Sequence, residues 1–253
     1  MAFQGEIGRM DLLHNDLGQP IGFPVPNWTP RALPPREAME GRFCRIEILD
    51  PERHAAELYE HNIEDRDGRT WTYLGYGPFA NYADYRAWAD AAAKSSDPLF
   101  HAIIDRVTGK AVGIASYLRI DAQAGVIEVG HIHYSPALQK TSAATEAMYL
   151  MMRRAFDELG YRRYEWKCDA LNAPSRRAAL RLGYRYEGIF RQATMYKGRN
   201  RDTAWYSVID REWPTLKSAF EVWLRPGNFT EDGQPRTRLS QLTAEALAGG
   251  GHR

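Results

Sequence analysis

The chain has 253 residues, 44% of them hydrophobic and 12% aromatic, enough to bury a core as one large or two small domains. Thirty-three Lys and Arg residues against 32 Asp and Glu residues give a formal net charge of +1, so no broad field attracts nucleic acid. Cys44 and Cys168 lie far apart without a metal-binding spacing, which indicates free thiols in a reducing compartment. The N-terminus is unlike a signal peptide, and no apolar run approaches the roughly 20 residues that cross a bilayer. We therefore expect a cytoplasmic protein with no nucleic-acid or membrane partner.

The two ends of the chain differ in composition from its middle. Six prolines between Pro20 and Pro35 disfavour a helix and predict an extended arm over residues 1–40. Residues 225–253 are polar and Gly-rich, which predicts a mobile tail that can form a short helix at 240–248. The predicted globular domain is therefore 41–224.

Hydrophobic periodicity predicts alternating strands and helices within this domain. The predicted strands are 42–49, 99–105, 110–120, 125–135, 161–171, 184–198 and 201–213. The predicted helices are 51–62, 80–95, 142–159 and 173–182. RVTG between the second and third strands is a hairpin signal, and Gly160 and Gly183 end the last two helices. This order predicts a mixed α+β fold with a central, largely antiparallel sheet and flanking helices.

Small and polar residues fill the start of the longest predicted helix, where the sequence reads QKTSAA. The first backbone N–H groups of a helix have no partners within it, and the helix dipole makes that end positive. Small side chains leave these donors uncovered, which favours a bound phosphate. The alternative is an ordinary N-cap by Thr141 or Ser142. The stretch alone leaves both interpretations open.

Three motifs occur in register with this order of elements. The first runs from Gln139 to Ala147. The second is N-x-x-S followed by G-Y, at Asn172, Ser175, Gly183 and Tyr184. The third is E-G-x-x-R at Glu187–Arg191, followed by Arg201-Asp202 and Tyr206-Ser207. Together they resemble the GNAT N-acetyltransferase superfamily, in the branch of the ribosomal-protein N-acetyltransferases. The resemblance implies a GNAT-like fold and acetyl-CoA as co-substrate, without a metal.

The resemblance also implies where acetyl-CoA binds. Its pantetheine would enter between strands 126–134 and 162–170, which splay apart in the superfamily. The implied binding residues are Leu138, Gln139, Lys140, Thr141, Ser142, Ala143, Ala144, Thr145, Asn172, Arg177 and Arg181. Ser142 and Ala144 stand where glycines are usual, so close phosphate approach requires that neither adopts a positive φ.

Acetyl transfer to an amine needs a proton acceptor and a proton donor for the leaving thiolate. Glu128, His131 and His133 are the candidate acceptors, and a period of two predicts that Glu128 faces one side of the strand and both histidines the other. The residues alone do not choose among the three. The tyrosine that protonates the thiolate in many relatives is replaced by Ala179, and the resemblance implies Ser175 as its substitute, with helix capping as the alternative.

An aromatic segment between the first two helices is the candidate acceptor site. Its residues are Trp71, Tyr73, Tyr76 and Phe79, close in sequence to Asp65 and Asp67. Rings and carboxylates suit an amine on an apolar body, although the rings can equally pack the segment on the sheet. We expect an acetyl-CoA-dependent N-acetyltransferase that acts on a primary amine of a small molecule or protein N-terminus, as a monomer or homodimer. The alternative is a catalytically silent acyl-CoA-binding or docking protein.

Overall fold

A computed structural model describes residues 13–249, and the chain divides into two compact units, Met1–Pro30 and Arg31–Arg253. In the first unit, strands β1 (Leu13–His14) and β2 (Pro20–Ile21) pair in antiparallel fashion. The Asn15 side chain holds the turn between them by accepting hydrogen bonds from the backbone of Leu17 (3.0 Å) and Gln19 (2.9 Å). As predicted, residues 13–30 form no helix.

The second unit contains an eight-stranded sheet. Its strands are β3 (Met39–Glu40), β4 (Cys44–Ile48), β5 (Leu99–Asp105), β6 (Ala111–Asp121), β7 (Val126–Tyr134), β8 (Arg163–Asp169), β9 (Arg185–Tyr196) and β10 (Arg199–Ile209). Their order is β3-β4-β5-β6-β7-β8-β10-β9, and β7–β8 is the parallel pair in an otherwise antiparallel sheet. The predicted α+β fold with a largely antiparallel sheet is confirmed.

Six α-helices accompany this sheet in the described chain. They are α1 (Pro51–Asn62), α2 (Tyr82–Ala93), α3 (Ser142–Arg153), α4 (Ala173–Arg181), α5 (Trp213–Leu224) and α6 (Leu239–Gly249). Helix α3 continues through a π-helical turn, Arg154–Glu158, and stops at Gly160, whose φ is +68°. Within residues 13–249, no helix is both long and apolar enough to cross a membrane.

Helices α5 and α6 extend the folded domain beyond its predicted last element. Helix α5 was not predicted, although Trp213, Leu216, Phe220 and Trp223 repeat at helical spacing and are buried. Helix α6 occupies the segment where the sequence allowed a short helix. Thr243 of α6 is buried and donates a hydrogen bond to the Arg181 carbonyl (3.1 Å). This part of the predicted mobile tail is therefore packed on the domain.

The sheet separates two hydrophobic clusters. The alternation of side chains along β5 shows which cluster lies on which face of the sheet. Leu99 and Ile103 belong to the larger cluster, together with residues of α3, α4 and α5. Phe100 and Ala102, which point the other way, belong to the smaller cluster with residues of α1 and α2. Strands β7 and β8 lie in the middle of the sheet, so a gap between them opens toward both faces.

Candidate active site

Strands β7 and β8 pair over only part of their lengths. The parallel ladder joins Val126–Val129 to Arg163–Trp166. Farther along, β7 pairs with β6 and β8 pairs with β10, and the described residues give no further pairing between β7 and β8. The two strands therefore part into a cleft, as the sequence analysis expected for strands 126–134 and 162–170.

A β-bulge in β7 begins where the cleft opens. Ser116 of β6 pairs with Gly130, whereas Ile114 pairs with His133, so β7 carries one extra residue there. His131 lies in this bulge with a φ of +49°, an uncommon conformation for a residue with a side chain. The bulge turns the strand and directs the following side chains.

The bulge overturns the predicted orientation of the three candidate proton acceptors. Ile127 and Val129 belong to the larger cluster, so Glu128 between them faces the opposite side. His131 and His133 contact Tyr76 and Trp71, which lie on that same side. All three candidates therefore share one face. The prediction that Glu128 faces away from the histidines is wrong, because the extra residue interrupts the period of two.

Glu128 is held in a buried network of charges. Its two carboxylate oxygens accept hydrogen bonds from Arg119 Nη1 (2.8 and 2.7 Å), and Lys167 Nζ is 3.0 Å from Oε2. Lys167 also lies 2.7 Å from Glu165 and 3.7 Å from the centroid of the Trp205 ring. Burial raises the pKa of Glu128, and the two cations oppose this rise. Oε2 faces both cations, whereas Oε1 accepts a bond from Arg119 alone, so the ion pairs oppose protonation of the carboxylate without blocking it.

The two histidines are buried among aromatic rings. The His131 ring centroid is 5.6 Å from that of Tyr76, and burial, with the charges of Arg119 and Arg201, lowers its pKa to about 4. The His133 ring stacks on Trp71 at 3.6 Å, with 23° between the planes. Burial lowers the pKa of His133 to about 3, against the opposing charge of Asp65. Both rings are therefore neutral near pH 7.

His133 is also hydrogen-bonded to a residue that the sequence analysis missed. Its Nε2 is 2.9 Å from Thr70 Oγ1, and the same hydroxyl is 2.6 Å from Asp65 Oδ2. Partial burial raises the pKa of Asp65, but hydrogen bonds from Thr70 and from the Arg69 backbone, with the charge of Arg69, together outweigh it and leave the pKa lowered. No sequence signal identifies Thr70, because the segment between α1 and α2 has no regular period.

The start of α3 combines a side-chain cap with backbone donors that have no partner within the helix. Thr141 is the N-cap residue, and its Oγ1 accepts a hydrogen bond from the Ala144 N–H (3.1 Å). The N–H groups of Ser142 and Ala143 precede any possible partner within the helix. The positive φ of this loop, +62°, belongs to Lys140, whereas Ser142 and Ala144 lie within the helix. The left-handed conformation therefore falls on Lys140, and neither Ser142 nor Ala144 adopts the backbone conformation that favours glycine.

Other residues that were predicted to bind the cofactor instead make contacts within the protein around this loop. Leu138 is buried in the larger cluster, and Gln139 Nε2 donates to the Tyr134 carbonyl (2.9 Å). Thr145 is buried, and its hydroxyl accepts a hydrogen bond from Arg181 Nη2 (2.7 Å). In the arrangement described, these side chains shape the loop and hold α4 against α3.

Helix α4 brings the predicted proton donor to β8. The Asn172 side chain caps the helix by accepting from the Ser175 N–H (3.1 Å), so Asn172 carries the side-chain cap rather than Ser175. Ser175 Oγ accepts from Trp166 Nε1 (3.0 Å), which leaves its own proton free to donate. Cys168 also faces this hydroxyl. Burial raises the pKa of its thiol, and the hydrogen bond with Ser175 opposes the rise. Arg177 is exposed on the same helix.

The four aromatic residues proposed for the acceptor are packed to different degrees. Trp71 belongs to the smaller cluster and is 3% exposed, and Tyr76 and Phe79 pack against that cluster. Tyr73 instead donates a hydrogen bond from its hydroxyl to the Leu171 carbonyl (3.2 Å), at the end of β8. The segment thus links the smaller cluster to the β8 side of the cleft.

The tip of the β9–β10 hairpin meets this segment, which the sequence analysis did not foresee. Tyr196 donates from its hydroxyl to Asp169 Oδ2 (2.7 Å), and Lys197 Nζ donates to the Trp71 carbonyl (2.8 Å). Arg199 Nη2 likewise donates to the Thr72 carbonyl (3.2 Å). These bonds bring residues of β8, the hairpin and the aromatic segment together beside His133. In the described part of the chain, no cluster of His, Cys, Asp or Glu side chains could hold a metal ion.

Comparison with known proteins identifies the family. The sequence model of the acetyltransferase (GNAT) domain matches residues 45–185, more than half of the chain. The chain belongs to this GNAT acetyltransferase family. The match includes β7, α3, β8 and α4 and ends at the start of β9, so the hairpin tip of this GNAT protein lies beyond it.

Solved structures agree with this family. A GCN5-related N-acetyltransferase from Brucella melitensis is 48% identical, with a TM-score of 0.85 over 87% of this chain and 100% of the other. A probable acetyltransferase of the GNAT family from Chromobacterium violaceum is 37% identical, with a TM-score of 0.72 over 78% and 98% of the two chains. The sequence is also 28% identical over 86 residues to the uncharacterized N-acetyltransferase YnaD of Bacillus subtilis. That match covers 34% of this chain and half of YnaD.

Proposed function

We propose that this GNAT protein transfers the acetyl group of acetyl-CoA to a primary amine. The observation that carries the proposal is the parting of β7 and β8, where β7 leads into the start of α3, whose first N–H groups have no partner within the helix. A strand-like pantetheine can bond to the free edges of both strands while its pyrophosphate lies on the helix start. A fold neighbour at 20% identity and a TM-score of 0.59, the microcin C7 self-immunity acetyltransferase, was solved with acetyl-CoA and AMP.

The residues around α3 and α4 would hold acetyl-CoA. Ser142 and Ala143 offer backbone donors to the pyrophosphate, and Lys140 adds a positive charge next to them. Arg177 and Arg181 on α4 are the candidate contacts to the remaining phosphates. Ser175, beside Trp166 and Cys168, would meet the sulfur and return a proton to the leaving thiolate.

The amine would approach from the other face of the sheet, which carries Glu128, His131 and His133. Among them, His133 is the proton acceptor that we favour, because it carries no ion pair with the described residues, whereas the charges of Arg119 and Lys167 oppose protonation of Glu128. A neutral imidazole can take the proton that the amine loses as its nitrogen bonds to the acetyl carbon. Trp71, Tyr73 and the hairpin tip would then surround the body of the acceptor.

A second candidate function is an acyl-CoA-binding protein without catalytic activity. The engaged oxygens of Glu128 and the packing of Trp71, Tyr76 and Phe79 favour it, since neither feature leaves an obvious vacancy for an acceptor. Both functions share the same acetyl-CoA site.

Titration calorimetry with acetyl-CoA, followed by release of free CoA over a panel of primary amines, tests the proposal. We expect micromolar or tighter binding, and CoA release that requires an amine and yields its amide. Binding without amine-dependent release would favour the silent alternative, and absence of binding would contradict both. Light scattering and cell fractionation would test the monomer or homodimer and the cytoplasmic location that we also propose.

A further inference from the structure

We propose that Thr70 and Asp65 are positioning residues that hold His133 in the tautomer protonated on Nε2, so that Nδ1 accepts the proton of the acceptor amine. This inference rests on the proposed function for its catalytic meaning. The hydrogen-bonded string itself is a property of the fold. It runs from Asp65 Oδ2 through Thr70 Oγ1 to His133 Nε2, with distances of 2.6 and 2.9 Å.

The number of protons shared by Asp65, Thr70 and His133 determines which atom carries each of them. The lowered pKa of Asp65 keeps it ionised near pH 7, so its oxygen can only accept. The same oxygen also accepts from the Thr70 N–H (2.8 Å). The single hydroxyl proton of Thr70 must therefore point to Asp65, because two acceptor oxygens 2.6 Å apart without a proton between them would repel. The contact with His133 then needs a proton on Nε2, and the lone pair of the neutral ring lies on Nδ1.

The plane of the imidazole is fixed by a second, independent contact. Trp71 covers the ring at 3.6 Å, and Trp71 is itself 3% exposed and tied by its carbonyl to Lys197 Nζ at 2.8 Å. A hydrogen bond at Nε2 together with a stacked indole leaves the ring little rotational freedom. Since His133 is also 3% exposed, water competes poorly for its nitrogens.

This arrangement has a defined role in the transfer step. The amine nitrogen forms a bond to the acetyl carbon as the carbonyl π pair moves to the oxygen, and the nitrogen proton passes to His133 Nδ1. The carbonyl then re-forms, the C–S bond breaks, and its electron pair goes to the CoA sulfur, which takes a proton from the Ser175 hydroxyl. Exchange with solvent afterwards removes the proton from His133 and restores that of Ser175. The imidazolium carries a proton on each nitrogen, and its Nε2–H still donates to Thr70, through which the Asp65 charge stabilises it. The other neutral tautomer, protonated on Nδ1, would present an N–H to the amine instead of a lone pair.

Matched substitutions of two threonines test the inference. Thr70→Val removes the hydroxyl at nearly constant shape, Thr70→Ser restores it, and Thr215→Val makes the same change at an exposed position of α5. We expect Thr70→Val and Asp65→Asn to lower kcat by about tenfold or more with the KM for acetyl-CoA unchanged. Thr70→Ser and Thr215→Val should keep the wild-type rate.

Nitrogen NMR of protein labelled in histidine supplies a readout that does not depend on activity. We expect the wild-type His133 signals to show a neutral ring protonated on Nε2, and a mixture of tautomers in Thr70→Val. An Nδ1–H tautomer in the wild type, or full kcat in Thr70→Val with an active enzyme, would overturn the inference. If the ring is protonated on Nε2 but the protein acetylates no amine, the proposed function would be overturned, and the hydrogen bonds from Asp65 through Thr70 to His133 would remain confirmed.

Discussion

The Glu146 carboxylate of α3 occupies the space next to Gly41 that any larger residue would need. A Cβ at Gly41 would lie 2.6 Å from Glu146 Cδ and 2.8 Å from the Cys44 carbonyl oxygen. The carboxylate is held there because it accepts hydrogen bonds from the backbone N–H groups of Arg42, Phe43 and Cys44, at 2.8, 2.6 and 2.9 Å. One side chain of α3 thus fixes the loop that leads into β4.

Gly41→Ala is expected to lower the melting temperature, because either the carboxylate or the β4 loop has to move. Glu146→Ala should destabilise by at least about 1–3 kcal/mol, since it leaves buried backbone donors unpaired. Gly227→Ala is the control, as a Cβ there meets nothing within 4 Å. Thermal unfolding of the three variants measures the effect. Equal melting temperatures for Gly41→Ala and Gly227→Ala would show that the loop accommodates the methyl group.

The helix start of α3 is tested by adding a negative charge. Ser142→Asp places a carboxylate against the proposed pyrophosphate position, and like charges a few Å apart repel by about 1–4 kcal/mol near a protein surface. We expect the Kd for CoA to rise tenfold or more, with little loss of stability, because an acidic residue suits a helix start. Ser218→Asp on the exposed side of α5 adds the same charge as a control. Equal affinities of Ser142→Asp and the wild type for CoA, measured by calorimetry, would show that the pyrophosphate does not bind at this loop.

Two residues at the start of α4 are expected to have separate roles, Asn172 in capping the helix and Ser175 in catalysis. Ser175→Ala retains the backbone N–H that Asn172 caps but leaves Trp166 Nε1 without its acceptor, so we expect kcat to fall by about 10²-fold and stability to fall by about 1–3 kcal/mol. Asn172→Ala should cost about 1 kcal/mol of stability through loss of the cap and leave the Ser175 hydroxyl in place. Steady-state kinetics and urea unfolding of both variants distinguish these outcomes. Wild-type turnover in Ser175→Ala would mean that the thiolate obtains its proton elsewhere.

A buried histidine makes the stability of the domain depend on pH. His101 is 0% exposed, and burial, with the charges of Arg154 and Arg36, lowers its pKa to about 3 from about 6.5 in an unfolded chain. The unfolded state therefore binds the extra proton first, so the free energy of unfolding should fall as the pH drops below about 6.5. At pH 5 this one group accounts for about 2 kcal/mol.

His101→Phe keeps the edge contact with Tyr117 and removes the titration. We expect a smaller loss of stability between pH 7 and pH 5 than in the wild type, although His131 and His133 still contribute. His14→Gln, which replaces an exposed histidine, should follow the wild-type curve. Urea unfolding at both pH values measures the difference. Parallel curves for His101→Phe and the wild type would contradict this account.

The sequence predicted the fold well where short-range chemistry sets an element. Helix α1 matches its predicted range of 51–62 because Asp50 caps it and Pro51 fixes its first φ. Gly160 and Gly183 end their helices with φ of +68° and +89°. Helix α5 was not predicted although its apolar spacing was present: its first residue, Trp213, ended the last predicted strand, and residues 214–224 were assigned to no element.

The candidate site was less predictable, because its geometry depends on contacts between distant segments. The bulge that reorients His131 occurs at a histidine rather than a glycine, so no residue type marks it. Thr70 and His133 lie 63 residues apart and meet only after the aromatic segment packs on β7. The Thr141 cap of α3 was one of the two alternatives that the local sequence offered, whereas on α4 the cap is Asn172 and not Ser175.

The short parallel ladder between β7 and β8 has a consequence for cooperativity. Strands β3 to β7 lie within residues 39–134 and β8 to β10 within 163–209, and every other strand pair of this sheet lies inside one of these segments. Opening the ladder at Val126–Val129 would thus uncouple two half-sheets without disturbing either. Amides beside the cleft should exchange with solvent faster than those at the ladder. A strand-like ligand that bonds both free edges would continue the interrupted ladder and let the halves unfold as one unit.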